Sequence, residues 1–166
     1  MKKILYIVIA IALLLPSSLS AQTLSKNGIP VTVIAEAGFG LNDCAGVQGI
    51  IGHQVGDRFF AGVGMVHYER SLFSSARSYS LLNAAFVDAR YALTGWKVAP
   101  YVGADLGFGF KGGGLYAGLE AGARMKMPGL FGKSHLWLSL CWDRVTIPAY
   151  TDEHIKVCAL KLGYSF

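Results

Sequence analysis

The chain has 166 residues, 53% of them hydrophobic and only 15% charged, with a formal net charge of +5. A typical soluble domain carries about 25% charged residues, and the basic excess is too scattered to form the patch or stripe that nucleic acid requires. Beyond residue 21 no apolar run reaches the roughly 20 residues of a membrane-spanning helix.

The first residues carry an export pattern. Lys2 and Lys3 give a positive start, Ile4 to Leu15 is unbroken and apolar, and Pro16 to Ala21 supplies a break and small residues. This predicts a signal peptide over 1–21, cut after Ala21. The run is too short to serve as an anchor helix. Loss of both lysines leaves the mature chain at +3. Residues 22–30 are expected to form a short periplasmic lead-in, and 31–166 a single domain.

Turn-forming residues divide that domain into eight alternating segments. In chain order they are Val31–Gly40, Val47–Val55, Arg58–Arg70, Leu81–Leu93, Lys97–Phe110, Gly114–Met127, Lys133–Ile147 and Glu153–Phe166. Most approach the roughly 9–11 residues of a tilted transmembrane strand. Glycine recurs inside nearly every segment, which disfavours helix. The longest connection is Ser71–Ser80, and Pro128 to Gly132 makes a further turn, long for its side of the sheet.

Each segment presents two faces, because side chains alternate along a strand. In the fifth, Val102, Ala104, Leu106, Phe108 and Phe110 oppose Tyr101, Gly103, Asp105, Gly107 and Gly109. The third, sixth and seventh alternate as clearly; the second is weaker and leaves its parity open. In the last, Cys158, Leu160, Leu162, Tyr164 and Phe166 oppose Ala159, Lys161, Gly163 and Ser165.

Glycine decides which face points inward. Gly62, Gly64, Gly103, Gly107, Gly118 and Gly122 share the face that carries the charges. A crowded small interior favours glycine beside large polar groups, while the opposite face is a continuous apolar surface that a soluble monomer would not expose. The predicted fold is all-β: an eight-stranded antiparallel up-and-down transmembrane barrel. With the N-terminus on the periplasmic side, Phe39, Phe108, Phe110 and Trp142 fall at the upper interface and Phe59, Tyr91, Tyr164 and Phe166 at the lower, as two aromatic girdles.

The terminal alternation from Leu160 to Phe166, the run Asp88-Ala89-Arg90-Tyr91, and Pro100-Tyr101-Val102-Gly103-Ala104-Asp105 with the glycine–aromatic alternation after it resemble the small outer-membrane β-barrel family. That family is typified by OmpX and the OmpA transmembrane domain, and the likeness is greatest to its porin-like OMP_b-brl type. The resemblance spans the whole mature chain. It implies residence in the outer membrane of a Gram-negative bacterium, contact with outer-membrane lipid, and insertion by the barrel-assembly machinery, with Leu160, Leu162, Tyr164 and Phe166 as the assembly signal. It implies no shared chemistry.

The inward parity collects Glu36, Asp88, Asp105, Glu120 and Asp143 with Arg90, Arg124, Lys126 and Lys161, and Arg70 near the upper rim. Acid and base look nearly balanced. An eight-stranded barrel is only wide enough for its side chains to fill it, so these residues read as a salt-bridged lumen that fixes the barrel rather than an ion path. No cofactor or metal is expected. Cys44 falls in a loop, and Cys141 and Cys158 on opposite faces of neighbouring strands, which argues against a disulfide between them. No hydrolase triad is marked. His135 and Ser139 share a face but stand roughly 13 Å apart along the strand, and His53, His67 and His154 have no evident nucleophile. Lys111-Gly112-Gly113-Gly114 lacks the strand–loop–helix setting of a phosphate loop.

The expected protein is a non-enzymatic monomer with a structural or interaction role, acting through short external loops. Ser71–Ser80, with Arg77 and Tyr79, is the candidate contact surface. The alternatives are a small pore or a lipid-modifying outer-membrane enzyme, and more remotely a soluble lipocalin-like ligand-binding barrel.

Overall fold

The computed structural model describes residues 31–41, 44–70, 79–110, 113–129, 132–146 and 154–166. Eight strands run through them: β1 (Thr32–Gly40), β2 (Cys44–Val55), β3 (Phe59–Arg70), β4 (Tyr79–Ala92), β5 (Val98–Gly109), β6 (Leu115–Gly129), β7 (Gly132–Thr146) and β8 (His154–Ser165). Each pairs antiparallel with the next, and β8 pairs with β1, so the sheet closes and has no edge. The predicted signal peptide, residues 22–30 and Arg77 lie outside the described residues.

The closing seam runs from Ile34↔Ser165 to Gly40↔Ala159. Val33 and Phe166 extend it by exchanging backbone hydrogen bonds of 3.0 and 3.1 Å. The last segment is therefore a strand with a partner on both sides.

The two parities separate as the glycine argument requires. On β5, Tyr101 and Asp105 are buried while Val102, Leu106 and Phe108 are exposed. The same division holds on β3, with Phe60, Val66 and Tyr68 inside and Val63 and Met65 outside. On β2, whose parity was open, Gln48 and Ile50 point inward and Val47 and Ile51 outward. The hydrophobic core is thus the barrel's own interior, built from Ile34, Ile50, Phe60, Leu82, Phe86, Tyr101, Tyr116 and Trp137 among others.

Three local expectations are corrected. Cys44 is not in a loop: it pairs with Gly40 at the start of β2 and is buried. Pairing there resumes at once, so Ala45 and Gly46 are strand residues despite their turn-like composition. Tyr79 and Ser80 belong to β4, paired with Arg70 and Glu69, which shortens the predicted Ser71–Ser80 loop. The β6–β7 turn is tight, because the ladder continues to Gly129↔Gly132. At the β2–β3 turn, Gly56 takes φ 62°, the left-handed conformation that glycine adopts without steric cost.

The two ends of the barrel differ. One carries the short β2–β3 and β6–β7 turns and both ends of the barrel chain; the other carries the longer connections, from Arg70 to Tyr79 and from Thr146 to His154. The first is the lower end and the second the upper.

Candidate functional site: the charged lumen

Arg90 of β4 is the hub of the interior. Its guanidinium crosses the lumen to β1 and grips Glu36 with two bonds, Nη1 to Oε1 at 2.6 Å and Nη2 to Oε2 at 3.0 Å. Its Nε lies 3.0 Å from Oδ2 of Asp88 and 2.9 Å from Oε1 of Glu120. The planar fork suits this paired grip, and an ammonium group could not reproduce it. Trp137 and Tyr101 lie against the same guanidinium, at 5.1 and 5.9 Å from their ring centroids, so aromatic faces add to the carboxylates.

Lys161 of β8 holds a second group. Its Nζ donates to Oε1 of Gln48 at 2.9 Å and stands 3.5 Å from Oδ2 of Asp143. Gln48 in turn donates from Nε2 to Glu36 at 3.1 Å, which joins the two groups. Tyr68 donates its hydroxyl to Asp143 at 2.8 Å, and Cys141 donates its thiol to the same oxygen at 3.6 Å.

Glycines make room for these side chains. A Cβ at Gly163 would stand 2.5 Å from Cγ of Glu36, and one at Gly118 would stand 2.7 Å from Oδ1 of Asp143. Both carboxylates therefore lie across the bare backbone of a neighbouring strand. The recess lined by Glu36, Gln48, Val66, Tyr68 and Lys161 has no space for a water molecule.

No family model and no curated protein matches the chain. Solved structures do. One, described as de novo design of transmembrane beta-barrels, aligns with TM-score 0.55 and 16% identity over 86% of this chain and 97% of that one. A second, the solution structure of the designed barrel TMB2.3, gives TM-score 0.56 and 17% identity over 86% and 97%. A third is the N-terminal β-barrel domain of Pseudomonas aeruginosa OprF, with TM-score 0.51 and 17% identity over 82% and 96%. At such identities the likeness is one of fold: a small eight-stranded barrel of the outer-membrane type.

The nine charged residues expected in the lumen do not form one balanced network. Glu36, Asp88, Asp105, Glu120, Asp143, Arg90 and Lys161 are all buried. Arg124 and Lys126 stand apart, toward the lower end. Arg124 donates from Nη2 to the backbone oxygen of Asp57 at 2.5 Å and lies over Trp137 at 5.6 Å. Lys126 donates to the Gly95 oxygen at 3.2 Å and stands 3.9 Å from the Asp57 carboxylate. Both tie the lower turns to the barrel wall instead of neutralising the middle. There, among the described residues, five carboxylates meet two cations, and the neutral donors Tyr68, Gln48 and Cys141 supply further hydrogen bonds. Asp105 sits directly across from Asp88 on the neighbouring strand. The side chain of Arg70 is outside the described residues.

Six of the girdle aromatics, Phe39, Phe59, Tyr91, Phe108, Phe110 and Trp142, are exposed, as are Leu160 and Leu162. Tyr164 is half-buried. Phe166 departs from the expectation: it is 7% exposed, and its ring centroid lies 6.1 Å from that of Tyr164. It is packed away rather than displayed.

None of the three cysteines is disulfide-bonded; Cys141 is buried and Cys158 half-buried on the opposite parity. His135 does not meet Ser139. Its Nδ1 lies 3.5 Å from the Ser165 hydroxyl on the adjoining strand, a partner the sequence did not mark. Ser165 is fully buried. Among the described residues no group of histidine, cysteine, aspartate and glutamate could hold a metal ion.

Proposed function

We propose that this chain is an integral outer-membrane barrel with a side-chain-filled lumen and a structural or interaction role, exported by the segment over 1–21. One observation carries the reading. The barrel buries its charges inside and exposes a continuous apolar band outside, including Val63, Val87, Leu106, Leu119, Leu140 and Leu162. That inversion suits a lipid surround, since water would face an apolar patch far larger than monomers present. The solved barrels of like fold support it.

The proposal further takes the protein to be a monomer that contacts outer-membrane lipid, enters by the barrel-assembly machinery, and catalyses no reaction. It takes the upper end as external, because longer connections face outward in such barrels. The connections at that end are then the surface through which a partner would be met.

Extracted from membranes, the protein is expected to run faster on a gel unheated than boiled, and to sediment with lipid vesicles. A soluble chain with no such shift would sink the assignment. Purified monomer in planar bilayers is expected to give no steady ohmic steps, because Trp137, Tyr101, Phe86 and Tyr116 fill the interior around the charges. Such steps would favour the pore instead.

A further inference from the structure

Among the described residues, the outward surface near the upper end holds one basic pair. Arg144 of β7 and Lys156 of β8 are direct cross-strand partners. Their chain neighbours Asp143, Val145 and Val157 are buried, so strand alternation puts both cations on the outer face. Like charges directly opposite on a sheet destabilise it, and no ion pair compensates either cation among the described residues. The Nε of Arg144 is shielded from solvent and has no hydrogen-bond partner there either.

Immediately below this pair the surface turns apolar. Trp142 and Cys158 form the next outward pair, flanked by Leu119, Leu140 and Leu160. Trp142 and these three leucines are 45–61% exposed. Elsewhere at the same end, outward His67, Asn83 and Glu69 satisfy one another. His67 bonds to Asn83, and its Nε2 stands 3.3 Å from Glu69. Around β5 and β6 the outward face remains apolar up to Phe110 and Leu115.

Two cations that no described carboxylate pairs, above an aromatic and aliphatic wall, match a molecule with anionic phosphate at one end and acyl chains at the other. The geometry points to Arg144 and Lys156 as a binding site for the phosphate of an outer-leaflet lipid, whose chains lie along Trp142, Leu140 and Leu160. The site rests on the membrane assignment above. It sits at headgroup depth, where each cation near an anionic surface adds appreciably to attraction.

The test uses the mature chain folded in phosphatidylcholine nanodiscs. These are doped either with a bis-phosphorylated diglucosamine lipid or with the same lipid stripped of its phosphates. Native mass spectrometry then counts retained lipid. The wild-type chain is expected to retain the phosphorylated form roughly tenfold over the stripped one. Arg144→Gln with Lys156→Gln is expected to abolish the preference. Arg144→Lys, which keeps the charge, should preserve it, and so should Arg58→Gln with Lys97→Gln at the lower end.

Undiminished preference in the Arg144/Lys156 double variant would overturn the site, as would equal retention of the stripped lipid. Displacement of the lipid by excess inorganic phosphate would overturn it too, by showing a free-anion site. Gel mobility of the unheated variants confirms that they fold. A wild-type chain that does not enter nanodiscs defeats the membrane assignment itself. One that enters without lipid preference defeats only this inference.

Discussion

Arg90→Ala is expected to lower the stability of the folded barrel by about 3–5 kcal/mol, the loss typical when one partner of a buried ion pair is removed. The expected loss is large because one guanidinium serves three carboxylates, Glu36, Asp88 and Glu120, all buried. Its removal leaves those charges without their main partner and opens a gap beside Trp137. Arg90→Lys should recover only part, since an ammonium cannot make the two parallel bonds to Glu36. Adding Glu36→Gln to Arg90→Ala should cost less than the sum of the two changes, because it removes one of the stranded charges. Arg58→Ala, exposed at the β2–β3 turn, should stay within about 0.5 kcal/mol of the parent. Urea midpoints of these four variants and of Glu36→Gln alone, each folded in lipid vesicles, measure these differences. An Arg90→Ala midpoint equal to that of the parent would show that the lumen ion pairs do not hold the barrel together.

The strands were legible in the sequence because a two-sided wall imposes a period of two, which the third, fifth, sixth and seventh segments report most clearly. Even Lys161, in a mostly apolar segment, fell on the correct face. The pairing of charges was not legible, for a geometric reason. Arg90 and Glu36 lie 54 residues apart on strands that are not neighbours, and Lys161 and Gln48 lie 113 apart. Parity fixes the face of a side chain, but height along the barrel and reach across it decide its partner. Arg124 and Lys126 share the inward parity yet stand too low to meet the central carboxylates. Cys44 was misplaced because Ala45 and Gly46 resemble turn residues, whereas backbone pairing with Phe39 and Gly38 carries the strand through them. The Phe166 ring shows the complementary limit: its parity is outward, but at the end of the seam it packs away from the exposed wall.

Ala104→Arg is expected to cost about 2–4 kcal/mol when the barrel is folded in a bilayer, and Val98→Arg only about 0–1 kcal/mol, because the penalty for a lipid-facing arginine falls from midplane to interface. Ala104 lies midway along the outward apolar run that extends from Val98 through β5 to Phe110 just beyond it, and both substituted positions are exposed. Neither change opens a cavity or removes a hydrogen bond, so the difference isolates the medium around the barrel. In water the two would be equivalent surface substitutions, each within about 0.5 kcal/mol of the parent. The ratio of the two costs therefore tests the surroundings without relying on extraction behaviour. Equal urea midpoints for the two variants in vesicles would remove the physical basis for placing this apolar band in lipid. A steep difference would mark the depth of the membrane along β5. The same substitution at Leu119, paired with Ala104 on the next strand, should then follow the steep limb. At Leu115, four residues nearer the upper end, it should cost much less.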